Sequence, residues 1–282
     1  MVNPVCYRIL EDIARDLSGD EVTFPTFLDL TFRIRTALKN PDLAIEQLAS
    51  LVGAEPLMSV RIMRMANSVA LNSSGRPIAD VKSAVTRVGI KAVRTVSFAV
   101  AMEQLLRSKK MAPFEALSHR LWDHTVLVAA LCRVLARRLS PVNPDEAMFA
   151  GLVHDIGAFY LLSHAVNFPE LLADHEEVIA LLRQWHDNIG HALLSALGQP
   201  DEVLQAVLEH EQQRTLSTVK TLADVVYLAN RLADTRCSWS GDGGRGQLDG
   251  EALSGVIEGD ALAMLLAEAE QEILSLKAGL GG

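Results

Sequence analysis

EAMFAGLVHDIGAFYLLS, residues 146–163, sets the fold class of this chain. Its apolar residues return with a period near 3.6, the mark of a helix, and not with the strict alternation of a strand. On that helix His154 shares a face with Ala147, Ala150, Gly151, Ala158 and Leu161, small apolar residues that let a neighbouring helix come close. His154 and Asp155 then offer an imidazole and a carboxylate from a single turn to a common cation. The same period runs through nearly every other segment, and no 20–50-residue repeat is superimposed on it. The expected fold is all-α, a multi-helical bundle of two lobes.

Composition narrows the classes further. The chain has 282 residues, 49% hydrophobic and 22% charged, enough to bury a core without disulfides or structural metal. The longest apolar run, Val126–Cys132, falls well short of the ~18 residues a membrane span needs. The N-terminal MVNPVCYRILEDIARD lacks a basic stretch ahead of an apolar block, so no secretory signal is expected. Cys6, Cys132 and Cys237 are odd in number and widely spaced, which suits a reducing cytoplasm. These features argue against a membrane protein, a secreted disulfide scaffold and a cysteine-rich zinc module.

The net charge of −9 argues against wholesale binding of nucleic acid. It is unevenly spread: residues 61–110 hold ten basic residues against Asp80 and Glu103 alone, a local charge of +8. Such a block suits an acidic partner, an acidic segment of the same chain, or simply a solvated face.

Helices are expected over Val5–Leu17, from Phe24 to about Lys39, and over Ile45–Val52 and Pro56–Ala66. They continue over Val81–Val88, Lys91–Leu106, Pro113–Leu139, Glu146–Ser163, Phe168–Leu172, Glu176–Leu197, Glu202–Glu211 and Thr218–Thr235. Gly89 separates two of them, and Pro56 sits where a first helical turn accepts proline. The glycine-rich, polar run CSWSGDGGRGQLDG at 237–250 reads as a flexible tether to an acidic amphipathic helix at Ala261–Lys277.

Further polar residues lie on apolar faces. His124 falls with Leu121, Leu127, Val128 and Leu131; His186 with Ile179, Leu182, Ile189 and Leu193; His210 with Val203, Ala206 and Val207; and Asn230 with Ala223, Val226 and Tyr227. Any one of them alone reads as a hydrogen-bonded core residue. Five helices each aiming one ligand-capable side chain inward read better as a shared polar site, because burying them separately is costly. His191, beside Gln184, Asp187, Asn188 and Ser195, faces solvent on the same reasoning.

The succession His124, His154-Asp155, His186, His210 and Asn230 resembles the HD superfamily of metal-dependent phosphohydrolases. Phe24-Pro25-Thr26-Phe27, Asn40-Pro41-Asp42, Glu55-Pro56-Leu57, Arg64-Met65-Ala66-Asn67-Ser68, Val88-Gly89, Trp185-His186-Asp187-Asn188-Ile189-Gly190 and Ala206-Val207-Leu208-Glu209-His210 narrow the resemblance to the HDOD domain, an HD-related output domain of bacterial signalling proteins. It implies an HDOD domain over 20–235 with lobes at 20–112 and 113–235, which the residue pattern flanks with an N-terminal helix over 1–23, a linker over 236–250 and an acidic helix over 251–282. It also implies a remnant metal site at His124, His154, Asp155, His186, His210 and Asn230, able to hold a divalent cation weakly, with no cofactor required. Two departures from active relatives point away from catalysis. Asn230 stands where they carry Asp, and Ala158 stands where their cyclic-dinucleotide phosphodiesterases carry Lys. The expected function is a non-catalytic regulatory module, acting through a signalling partner, a small ligand or a second copy of the chain. A metal-dependent phosphohydrolase is the alternative.

Four weaker signals complete the reading. LASLVGAEPLMSVRI at 48–62 mimics a helix-turn-helix with Arg61 and Arg64 on the second helix, but Pro56-Leu57-Met58 puts apolar residues where base-reading side chains belong, so nucleic-acid binding ranks third. Asn67 reads as a local cap or as a pocket residue, and Arg87, Lys91 and Arg94 as a solvated basic face or an anion seat. The acidic C-terminal helix is expected to dock on its own chain, with the basic 61–110 stretch as its seat.

Overall fold

The computed structural model describes residues 4–18, 33, 34, 36, 37, 40, 43–68, 71, 72, 76–106, 108–240, 256, 257 and 259–280. The expected helix from Phe24 to Lys39 falls mostly outside them, as does the glycine-rich run beyond Ser240. The described residues form helices joined by turns, with no strand among them: the fold is all-α. The chain divides into two compact units, residues 24–104 with 274–282, and residues 1–23 with 105–273.

In the first unit, α2 (Ile45–Gly53) and α3 (Pro56–Ala66) form a helix pair, with Pro56 in the first turn of α3. Their apolar faces meet Ala84, Val85, Val93 and Val96 of α4 (Val81–Leu106), burying Leu48, Val52, Met58 and Ile62 completely. Gly89 breaks α4 with φ +80°, a conformation that costs any residue with a Cβ. Arg61 is 2% exposed and paired with Glu103, so it cannot serve as a base-reading residue.

The second unit holds α1 (Pro4–Ser18), α5 (Glu115–Leu139), α6 (Pro144–Val153), α7 (Ile156–Ala165) and α8 (Pro169–Leu172). It continues with α9 (His175–Ala196), α10 (Asp201–Glu209), α11 (Leu222–Asp234) and most of α12 (Gly259–Leu280). A 3₁₀ segment, Lys109–Phe114, precedes α5, so the helix expected from Pro113 starts two residues later. α5 packs on α6 and α11, α7 on α9, and α10 on both α9 and α11.

Residues 146–163 depart from the expectation of one helix. α6 stops at Val153 and α7 starts at Ile156, leaving His154 and Asp155 in the junction. Seven of the ten residues of α6 and eight of the ten of α7 are buried, so their apolar pattern runs on across the break and hides it. α12 docks on its own chain. Its Glu268 and Glu272 accept from Arg137 at 2.8 Å and Arg133 at 2.5 Å on α5, and Glu270 pairs with Arg236 at 3.2 Å. Arg133 and Arg137 lie in the last turns of α5, where positive charge also suits the helix dipole.

Candidate metal centre

Glycines and a cap bring the junction into place. Asn143 caps α6 by accepting from the backbone N–H groups of Asp145 and Glu146 at 3.0 and 3.2 Å. Gly151 lets α6 lie against α5, where a Cβ would stand 2.9 Å from the Ala129 Cα. Gly157 lets the start of α7 touch the backbone of α9 at His186 and Gly190. Asp155 occupies the N-cap position of α7, but its carboxylate makes no capping bond and is left for the imidazoles.

His124, His154, Asp155, His186, His210 and Asn230 are each at most 2% exposed. The carboxylate of Asp155 divides its oxygens between two histidine pairs. Oδ2 lies 3.2 Å from His154 Nε2 and 3.8 Å from His124 Nε2, while Oδ1 lies 3.4 Å from His186 Nε2 and 3.5 Å from His210 Nε2. His186 and His210 bring their Nε2 atoms within 3.1 Å of each other, and Asn230 Oδ1 lies 2.9 Å from His124 Nε2. The other ring nitrogens face backbone carbonyls. The Nδ1 atoms of His154, His186 and His210 lie 2.7, 2.8 and 2.6 Å from the oxygens of Gly151, Leu182 and Val207, one turn back on the same chain segment. His124 Nδ1 lies 2.8 Å from the carbonyl of Cys237. A carbonyl only accepts, so each Nδ1 carries a proton, and the Nε2 of a neutral ring then turns a lone pair inward, the tautomer a metal ligand needs.

The donor set fits a divalent cation. Both Asp155 oxygens and His154 Nε2 are buried without a hydrogen bond, which is costly unless an ion meets them. Two groups, His124 with His154 and Asp155, and Asp155 with His186 and His210, each hold their ligand atoms within 4.8 Å of one another. Imidazoles with one carboxylate suit first-row transition ions and zinc better than calcium or magnesium.

Electrostatics follow from burial against this shared charge. Burial pulls the His124 and His186 pKa values below the ordinary histidine value, Asp155 opposing it in both. Burial works against charge on His210 too, but the Asp155 carboxylate beside it, with Glu211, pushes that group up to about 9. Burial disfavours the charged carboxylate of Asp155, yet the field of His154, with His210 and His186, holds it well below the usual carboxylate range.

Two carboxylates beside the cluster escaped the sequence reading. Glu211 Oε1 accepts from Asn230 Nδ2 at 3.3 Å and lies 4.0 Å from His210 Nε2. Asp234 Oδ1 stands 3.9 Å from His124 Nδ1. Glu211 follows the end of α10, beyond any helical-face count, whereas Asp234 sits four residues after Asn230 on α11 and the spacing could have found it. Trp239, edge-on to His186 with ring centroids 5.7 Å apart, was likewise passed over inside a presumed tether.

Burial pushes Asp234 up to about 7, helped by the charges of Glu211 and Asp155 and opposed by Arg231 and His210. An acid whose folded pKa is raised keeps a proton that the unfolded chain has released, so stability falls as pH rises from about 4 to about 7. In chelator-treated protein Asp234→Asn is expected to remove that slope, gaining at most about 4 kcal/mol at pH 8 and nothing at pH 4. Urea unfolding of both proteins at the two pH values checks it.

The weaker candidates fall in the first unit. Asn67 accepts from the Ile78 N–H at 2.7 Å and donates to the Met63 and Ile78 carbonyls at 3.0 Å, a local tie of loop to helix. Arg87 donates to Asn72 at 2.8 Å; Lys91 is exposed and Arg94 half-buried. His191, expected in solvent, is half-buried.

Comparisons with known proteins give the family and the fold. The family model for the HDOD domain matches residues 24–213. A solved structure from Shewanella amazonensis SB2B, whose name carries the words metal-dependent phosphohydrolase, is 25% identical, covers 97% of this chain and 99% of that one, and superposes with a TM-score of 0.70. An HDOD domain protein of unknown function from Geobacter sulfurreducens is 22% identical with TM-score 0.57, each chain covered to 98%. A chain from Marinobacter aquaeolei VT8, named for signal transduction, is 16% identical with TM-score 0.61, covering all of this chain and 68% of that one; the last two show the fold alone. Among curated proteins, an uncharacterized protein of Treponema pallidum is 23% identical over 70% of this chain, and a Ribonuclease Y of Fervidobacterium nodosum 26% identical over 56%. The aligned stretches span only 39% and 27% of those two proteins.

Proposed function

Because this chain belongs to the HDOD domain family, we propose that it is a regulatory signalling module whose buried histidine–aspartate centre holds a divalent cation without hydrolysing phosphate esters. The observation that carries the reading is the sealing of the centre. All six side chains are at most 2% exposed, and Ala158, next to the Asp155 turn, is fully buried and apolar. A phosphohydrolase must hold metal, activate water and bind phosphate oxygens together, and a basic side chain at 158 and an anionic one at 230 would serve those ends. A cation held here would tie α5, the α6–α7 junction, α9, α10 and α11 to one point, stabilising the second unit by mass action. Output would then pass through a signalling partner, a small ligand or a second copy. No helix among the described residues is long and apolar enough to cross a membrane, and the reading places the module in the cytoplasm.

Elemental analysis of the purified chain, with a screen of cyclic dinucleotides and nucleotides in Mg²⁺, Mn²⁺ or Fe²⁺, tests this. The expected result is bound transition metal and no turnover above that of Asp155→Asn. Turnover at enzyme-like rates that this substitution abolishes would overturn it in favour of a phosphohydrolase, a reading for which the carboxylates of Glu211 and Asp234 beside the cluster speak.

A further inference from the structure

We infer that Asn230 binds the cation through Oδ1, and that Glu211 is the positioning residue that turns the amide to do so. The inference deepens the metal-binding reading above and rests on it. His124 Nδ1, 2.8 Å from the Cys237 carbonyl, holds the ring proton, so Nε2 bears a lone pair. That lone pair faces another, on Asn230 Oδ1, at 2.9 Å. Two acceptors at this distance repel unless something positive stands between or beside them.

The amide could escape by rotating half a turn and donating Nδ2 to His124. Glu211 blocks this. Its carboxylate accepts from Asn230 Nδ2 at 3.3 Å, and after rotation the two oxygens would confront each other.

An amide oxygen and an imidazole nitrogen at this separation suit neighbouring positions on one first-row ion, whose bonds to such donors are about 2.0–2.2 Å. Two more donors are at hand. His154 Nε2 makes no hydrogen bond, and Asp155 Oδ2 lies 3.2 Å from it. The set is thus two imidazoles, one carboxylate and one amide, with the Glu211 charge behind the amide. An orienting partner of this kind is commonly worth a tenfold to hundredfold change in metal affinity.

The test titrates Zn²⁺ into the chelator-treated full chain by calorimetry and follows Co²⁺ by absorption. Glu211→Gln can accept from either amide orientation's donor or donate to its oxygen, so it should weaken Zn²⁺ binding about tenfold to a hundredfold. Asn230→Ala should do at least as much, shift the Co²⁺ spectrum, and leave Glu211→Gln with no further effect in the double variant. Asn230→Asp/Glu211→Gln should recover the affinity lost in Glu211→Gln, since a carboxylate has no wrong way round. A Glu211→Gln protein that binds Zn²⁺ as wild type does, or penalties that simply add, would overturn the role of Glu211. An unchanged Co²⁺ spectrum in Asn230→Ala would overturn ligation by Asn230. A wild-type chain that binds neither ion would instead remove the metal-binding reading itself, and this inference with it.

Discussion

Gly157→Ala is expected to destabilise the protein by more than about 3 kcal/mol, enough to leave little folded chain at 37 °C. The added Cβ would lie 1.9 Å from the His186 carbonyl oxygen and 2.5 Å from the Gly190 nitrogen. Both are backbone atoms of α9, so no rotamer change relieves the clash; the helices must part, and His186 is carried away from Asp155. The other glycines make a graded control. At Gly151 a Cβ would meet Cys132 Sγ at 2.8 Å and the Ala129 Cα at 2.9 Å, and at Gly190 its nearest neighbour is a Val207 methyl at 3.1 Å. At Gly53 nothing lies within 4 Å, and alanine there should be neutral or stabilising by up to about 1 kcal/mol. Urea midpoints should therefore fall in the order Gly53→Ala, Gly190→Ala, Gly151→Ala, Gly157→Ala. Equal midpoints for the first and last would refute the helix contact described here.

Asp155→Ala is the second large effect, with opposite signatures in cation affinity and pH dependence. It removes the one carboxylate that faces all four imidazoles, so Zn²⁺ affinity should drop by at least about a hundredfold, more than a residue that only orients a ligand. In chelator-treated protein at neutral pH, removing the carboxylate leaves His210 without its counter-charge, and breaking a buried pair costs about 3–5 kcal/mol. The sign can be worked out from His210. Its folded pKa, about 9, stands above the ordinary histidine value, so the pair's contribution is complete below about 6.5 and is lost as pH rises through 9. The penalty of Asp155→Ala should consequently shrink between pH 7 and pH 10, as urea midpoints across that range would show. A penalty that stays constant would mean that the carboxylate and His210 are not coupled.

The fold class was legible because helical periodicity survives wherever one face of a helix is buried, as on α3 and α10. It misleads where both faces are buried, and there the break at His154-Asp155 went unseen. The membership of the histidine cluster was legible for a related reason: an imidazole on an apolar face needs a partner, and the four of them find one in Asp155. What could not be read were contacts that depend on chain direction after a helix ends. Glu211, the Cys237 carbonyl and Trp239 all lie past the C-termini of α10 or α11, where no period links them to a face. Net charge over 61–110 does not give the partners of single residues: Arg61 is spent on Glu103, Lys82 meets Glu46 at 2.5 Å, and Glu268 of α12 finds its arginines on α5.

Three of the four imidazoles are steadied by a main-chain carbonyl three or four residues before them. Main chain is present whatever side chains surround it. A cage propped in this way does not depend on the side chains at positions such as 158 and 230, so substitutions there are expected to leave the ring geometry intact.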